Sequence, residues 1–464
     1  MQNPWILIST SLQPTPPAPP DTARVYGLVA PVGSEPAAVT AFATIYTSLT
    51  GLTDDGWVAG DAVFDAAEDL FGNSAVATDT AVTRIIVVKR ASPVDEVWTY
   101  LVNSADDGIH TAEIGGVVAG TFTASTDTVD VIRTGLTDAI NLGAFAASHT
   151  ATDTIAATLS VTGDAPPGVP FTLTGSAPSG TAPTITRTVD AVGLFADLTA
   201  AYTLQQWWGL LLPSEENSLA LDEARRWVDA DTTTRRGFLF AQQVDVGLAD
   251  SVDTDNLALT WQLAKRARSK VWTHPTPTEY MVAAMIGKVG GAFPGSRAWH
   301  YLPLSGSVES TLTPARTAGQ LQTLFDRRVG YTARFYGPTS ELTIHHGQLP
   351  DDHFVAQVHA ADWWWFATTV AMDAEMKSNA GADLDEAGLR GLATAVEVAT
   401  TPMINARVLA ASSVSVTFTP IVDIPPGELA IGDYQTTGRI TVSGVLTPKL
   451  RSLAVRAEFA VVPA

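Results

Sequence analysis

The densest group of side chains able to hold a metal or move a proton is His345-His346-Gly347, followed by Asp351-Asp352-His353 and His359. Imidazoles and carboxylates in one stretch suit a divalent cation. The spacing matches no zinc motif such as His-Glu-x-x-His, and adjacent His345 and His346 on a strand would point to opposite faces. A polar turn between Ile344 and Phe354 is the reading the spacing favours, so no metal and no other cofactor is expected. Gly287-Lys288-Val289-Gly290-Gly291 lacks the Gly-Lys-Ser/Thr ending of a phosphate loop and follows a helical pattern rather than a strand, so it reads as a helix end and turn. There is no Gly-x-Ser-x-Gly elbow, and Ser296 in Pro294-Gly295-Ser296-Arg297 reads as a turn residue. The carboxylate pairs Asp54-Asp55, Asp106-Asp107 and Asp351-Asp352 all lie in loop-like contexts, where spacing alone promotes none to acid–base work. With no cysteine, thiolate nucleophiles and thiolate zinc sites are excluded. The chain does not read as an enzyme.

Two further clusters call for a partner. Trp363-Trp364-Trp365-Phe366 puts large rings on every side of one helix, so that helix is either buried almost all round or lies at a subunit contact. Lys265-Arg266-Ala267-Arg268-Ser269-Lys270 is the one clear basic run; it reads as a solvated helix end, with contact to an acidic neighbour as the alternative.

The elements that position these groups belong to a long, folded chain. Its 464 residues exceed one ordinary domain, with hydrophobic residues at 46% and charged residues at only 16%. The net charge of −21 opposes nucleic-acid binding, and no apolar run is long enough to insert in a membrane. Charge is uneven: residues 1–200 carry 6 basic and 21 acidic side chains, whereas from Gly388 onward there are 6 basic and 5 acidic. Different parts therefore suit different neighbours. The opening Met-Gln-Asn-Pro-Trp-Ile-Leu-Ile has neither the basic start nor the long apolar core of a secretory signal.

Strand and helix patterns alternate along most of the chain. Val25–Val32, Arg84–Lys89, Trp207–Leu212, Gly237–Gln242 and Val271–His274 read as strands, with helices from Asp61, Ser214, Asn256 (to Arg268) and Thr278 between them. Between Ser92 and Thr188, Thr, Ser, Gly and Asp dominate, and a helix is expected over Thr128–Leu142. Helices at Asp362–Met376 and Asp385–Val398 precede strands near Val414–Pro420, Ile440–Leu446 and Leu453–Val462. Trp5-Ile6-Leu7-Ile8 is strand-like and isolated, followed by Pro14-Thr15-Pro16-Pro17-Ala18-Pro19-Pro20, a stiff polyproline-type spacer. In the last strand Leu453, Val455, Ala457, Phe459 and Val461 alternate with polar or small residues. The fold expected is a multidomain α+β chain: a layered α/β core, an inserted small α+β domain, and strand-forming arms at both ends.

The stretch Asn256–Gly306 resembles the middle of contractile-tail sheath proteins. The residues that carry this are Thr278-Glu279-Tyr280-Met281-Val282-Ala283-Ala284-Met285-Ile286-Gly287, then Gly291-Ala292-Phe293-Pro294-Gly295-Ser296. The similarity extends by texture over about 190–464 and by organisation over the chain. It implies a structural subunit that polymerises helically around an inner tube and contracts to drive the tube through a cell envelope, without catalysis or cofactor. The domains it implies are an arm and spacer at 1–24, a middle domain from 25–91 and 189–345, an outward-facing insert at 92–188 and an inner domain at 346–464. Partners implied are further copies of the chain, an inner tail-tube protein, and baseplate and tail-terminator proteins, in a virion tail assembled in the host cytoplasm. Inter-subunit arms would be Trp5, Ile6, Leu7 and Ile8 with Leu453, Val455, Ala457, Phe459 and Val461; Arg439, Lys449, Arg451 and Arg456 would face the tube. The alternative is a non-enzymatic envelope-binding or adhesion module, with the Trp cluster as ligand platform.

Overall fold

The computed structural model describes residues 6–11, residues 23–409 with interruptions (the longer ones at 73–80, 231–236, 305–315, 335–341 and 379–385), and the strand residues 415–420, 438–445 and 454–461. The chain divides into two units, Lys89–Ala201 with Asp222–Ala224, and all the rest.

Eight strands form the main sheet of the larger unit. Across the sheet they run β16 (Leu342–His345), β15 (Gly330–Arg334), β14 (Ser269–Thr273), β13 (Phe238–Gln243), β12 (Gly209–Leu211), β2 (Tyr26–Val29), β4 (Ile85–Val88) and β3 (Ala43–Tyr46). From β15 to β4 all neighbours are parallel, and β16 and β3 close the two edges antiparallel. Every residue of β2, β4, β12, β13 and β14 is buried. A parallel sheet covered on both faces demands this, and it is why Ile85-Ile86-Val87-Val88 shows no polar alternation. The sheet grows from β2 in both directions: β4 lies on one side, and β12 returns to the other side.

The helices of this unit begin where side chains satisfy their first amides. Asn256 accepts from Leu259 N–H ahead of α6 (Leu257–Leu263), and Thr317 with Gln320 forms a capping box for α8 (Ala318–Asp326). Helix α2 (Ala62–Gly72) packs on α7 (Met281–Val289) so closely that a Cβ on Gly287 would lie 2.7 Å from the carbonyl oxygens of Asp69 and Leu70. That glycine serves helix packing. The short helix α1 (Leu49–Asp54) and strand β3 precede α2 and left no clear sequence pattern.

Helix α9 (Val355–Ser378) runs beside α10 (Glu386–Asn405). The aromatic run in α9 is core: Trp363 is 8% exposed, Trp364 1%, Trp365 3% and Phe366 1%. Trp364 Nε1–H donates to Thr400 Oγ1 at 2.9 Å, joining the two helices, and Trp363 meets Phe293 edge-on with centroids 4.7 Å apart. The Trp-platform expectation is thereby corrected: these rings are used up inside the chain.

The basic run is also corrected. Helix α6 stops at Leu263 rather than reaching Arg268, and Lys265 takes φ +49 at its end. Residues 269–273 then enter the sheet as β14, so Arg268 and Lys270 are carried inward instead of into solvent. Arg268 donates from Nη2 to Asp362 Oδ1 at 2.6 Å and from Nη1 to Asp362 Oδ2 at 2.8 Å, and Asp362 is 1% exposed. Burial alone would depress this guanidinium; the Asp362 carboxylate more than offsets it and leaves its pKa raised. Lys270 donates to the carbonyls of Arg328 and Gln348, and burial followed by the Arg328 charge holds its amine well below the usual lysine range.

The smaller unit has its own core. Sheets β10 (Leu173–Ser176)–β6 (Gly108–Ile114)–β7 (Val117–Ala124) and β11 (Thr184–Val189)–β5 (Glu96–Leu101)–β9 (Thr158–Gly163)–β8 (His149–Asp153) enclose Tyr100, Ile132, Leu136, Ile140, Leu159 and Val161. Helix α3 (Val129–Leu142) matches the expected span, with Thr128 as N-cap. Glu96 is fully buried, accepting from Phe171 N–H and from Arg187 Nη1 at 3.2 Å.

Candidate assembly interface

The larger unit carries a second sheet, of order β1 (Ile6–Ser11)–β19 (Ala454–Val461)–β18 (Gly438–Val445)–β17 (Ser415–Pro420). Strand β18 pairs antiparallel with both β17 and β19, and β1 adds parallel to β19 over six register pairs, from Ile6↔Val455 to Ser11↔Ala460. Strands from near both ends of the chain therefore share one sheet.

The register sorts the residues by face. Ile6, Ile8 and Thr10 align with Val455, Ala457 and Phe459, then with Gly444, Val442 and Ile440, then with Val416 and Phe418 for the last two. Leu7, Ser9 and Ser11 align with Arg456, Glu458 and Ala460, then with Ser443, Thr441 and Arg439, then with Ser415, Thr417 and Thr419. Strand residues alternate sides, so the two sets occupy opposite register positions, the first mainly apolar and the second mainly polar in sequence. β17 lies against α10; Val416 packs on the main core, and Ser415 is exposed.

Both β1 and β19 are separated from the neighbouring described segments by several residues of chain. Eleven residues separate Ser11 from Ala23, five of them proline, and eight residues separate β18 from β19. Ala23, in contrast, is pinned. It is fully buried, and its carbonyl accepts from His359 Nε2 at 2.6 Å. The His359 ring stacks on Trp208, centroids 3.9 Å apart, and Trp208 Nε1–H donates to Asp362 Oδ2 at 2.9 Å. Burial pushes the His359 pKa down to about 4, so at neutral pH the ring is uncharged. The point where the N-terminal segment enters the fold is thus tied to α9 and, through Arg268, to β14.

The histidine and carboxylate candidates do not converge. β16 ends at His345, whose ring stacks on Tyr331 and whose Nε2 lies 2.9 Å from Thr343 Oγ1. His346 lies just past the strand at φ +65 with its ring edge-on to Phe325. Burial pushes the pKa of His345 down to about 4 and, with Lys270 and Arg328 adding to burial, that of His346 down to about 2. His353 bonds Asp351 at 2.6 Å, a contact that raises its pKa, and Asp352 accepts from Arg328 at 2.9 Å. Asp55 accepts from Tyr46 O–H, and Asp107 from Thr126 N–H. Among the described residues no three such side chains are placed to hold a metal.

No protein-family model matches this sequence, and no curated protein matches it. Two solved structures are similar to parts or most of the chain. A sheath complex of the extracellular contractile injection system PVC, in the contracted state, is similar over 95% of this chain and 92% of its own, at 10% identity and a TM-score of 0.47. A chain of the anti-feeding prophage baseplate is similar over 58% of this chain and 70% of its own, at 14% identity and a TM-score of 0.36.

Of the expected arm residues, Ile6, Leu7, Ile8, Val455, Ala457, Phe459 and Val461 lie in β1 and β19, while Trp5 and Leu453 fall outside the described residues. Arg439 and Arg456 belong to the second, mainly polar register set, on β18 and β19; Lys449 and Arg451 fall outside the described residues. Sequence reasoning missed the parallel pairing of β1 with β19, for which no local pattern exists. It also missed a cleft of about 910 Å³ in the smaller unit, lined by Trp98, Phe145, Phe171, Ile185, Glu96 and Arg187. The signal there was the scatter of aromatics through a Thr-rich stretch.

Proposed function

We propose that this chain is the structural subunit of a contractile sheath: it polymerises helically around an inner tube and contracts to drive the tube through a cell envelope. The observation that carries this reading is the terminal sheet. Strands from near both ends reach it through long links, and strand addition joins subunits by backbone hydrogen bonds with alternate side chains setting register. Swapping β1 or β19 onto a neighbour would conserve every ladder bond while tying copies into a continuous lattice. Contraction then draws on repacking between two lattice arrangements and needs no nucleotide. In this reading residues 92–188 form the outward insert and 346–464 the inner domain. The mainly polar register set that includes Arg439 and Arg456, with Lys449 and Arg451, turns to the tube, and the baseplate and terminator cap the polymer. Assembly is assigned to the host cytoplasm and function to the virion tail.

The test is negative-stain electron microscopy of the purified chain over a range of concentration and salt, with and without tube protein. Hollow tubes or stacked rings support the reading. Tubes that form normally after deletion of residues 1–12 or 453–464 would sink the arm assignment. The cleft holding Trp98 and Phe171 favours a second reading, an envelope-binding module. Saturable binding of isolated envelope glycans, abolished by Trp98→Ala in a chain that forms no polymer, would select it.

A further inference from the structure

Resting on the sheath reading, we propose that the free chain keeps its N-terminal strand parked on its own C-terminal strand. β1 must then leave its own β19 before a neighbouring copy can be joined. The terminal sheet in one chain is already complete: all six residues of β1 are in register with β19, so the edge that a neighbour's strand would use is occupied from within. With β1 in place, the β19 edge itself is covered and a neighbour's strand cannot pair there until β1 leaves.

The arrangement suits release. β1 is the outermost strand, so peeling it breaks one ladder and leaves β17, β18 and β19 paired. That ladder is parallel, the less stable kind per residue. Ala23 stays anchored through His359 while β1 departs, so the core need not open. The eleven intervening residues can bridge at most roughly 40 Å, about 3.3–3.6 Å for each step.

Concentration sets the direction. A short link gives the tethered strand an effective concentration on the order of millimolar at its own sheet. Free copies at micromolar concentration cannot compete with that. At the end of a growing polymer a neighbour's sheet is held at fixed distance, and exchange becomes as favourable as closure. Assembly is then limited by opening one strand rather than by encounter.

The chain has no cysteine, so an engineered pair is unambiguous. Ile8→Cys with Ala457→Cys places thiols on register partners in adjacent strands, about 4.8 Å apart and within the separation a disulfide spans. Ser9→Cys with Glu458→Cys does the same on the other face and serves if the first pair fails to fold. Oxidised at micromolar concentration, the protein is expected to give a single-chain disulfide on non-reducing gels. It should then form at least tenfold less pelletable polymer than reduced protein, with assembly restored by reductant. Oxidation after assembly should give a ladder of covalent multimers. Covalent dimers from the dilute chain, or locked protein that polymerises as fast as reduced protein, would overturn the parked strand while leaving the sheath reading standing. Reduced protein that forms no polymer at any concentration, even with tube protein, would overturn the sheath reading and this inference together.

Discussion

Replacing Asp362 by leucine would leave the Arg268 guanidinium buried without its carboxylate and deprive Trp208 Nε1–H of its acceptor. Replacing Arg268 by methionine would leave the carboxylate, 1% exposed, with the indole alone. Removing one partner of a buried pair costs about 3–5 kcal/mol, because the remaining charge stays desolvated. Replacing both by apolar residues of similar volume removes that penalty. Arg268→Met and Asp362→Leu are each expected to lose about 3–5 kcal/mol. The double variant should lose about 1–2 kcal/mol, for the orphaned indole and the Gly237 carbonyl that Arg268 also serves. The coupling energy is then at least about 4 kcal/mol. Urea unfolding followed by tryptophan fluorescence in a double-mutant cycle measures it. Single variants that each lose under about 1 kcal/mol and simply add would refute the claim that this pair anchors α9 to the sheet.

The Asp69 pKa is raised to about 7, by burial first and then by the charges of Glu279, Glu68 and Asp65. A carboxyl raised in the folded state favours folding when protonated, so its contribution is fully present below about pH 4 and is lost as pH rises through about 7. Asp69→Asn should therefore flatten stability between those values. At pH 8 it should stabilise the protein by about 1–3 kcal/mol after allowance for partial exposure, read as urea midpoints at pH 5 and pH 8. His359 behaves in the opposite sense: its folded pKa of about 4 lies below the ordinary histidine value, so stability falls as pH drops from about 6.5 to about 4. His359→Phe should remove that dependence and free the Ala23 carbonyl, seen as faster tryptic cleavage after Arg24. In the smaller unit, Glu96→Gln should lower that unit's unfolding transition by about 1–3 kcal/mol and leave that of the larger unit in place, as calorimetry would show.

Much of the framework was readable in one dimension. Continuous apolar runs such as Ile85–Val88 and Phe238–Gln242 announced strands buried on both faces, and Thr128 and Asn256 marked where helices begin. In the smaller unit the pattern faded. β11 is exposed at five of its six positions, so no hydrophobic alternation betrays it, and β6, β8, β9 and β10 passed unrecognised.

What the sequence alone determined was which segments bury themselves and that strand-forming segments lie near both ends. These follow from local composition and period. What the tertiary structure decided was who meets whom. Arg268 is a core residue because Asp362, 94 positions away, lies opposite it on α9. The tryptophan triplet is core because α10 and the loop holding Phe293 cover it. Strand β1 lies along β19, more than 440 positions away, in a six-residue parallel ladder. A backbone ladder is nearly blind to side-chain identity, so a strand's sequence states that it will pair and which face turns inward, but the fold around it chooses the partner.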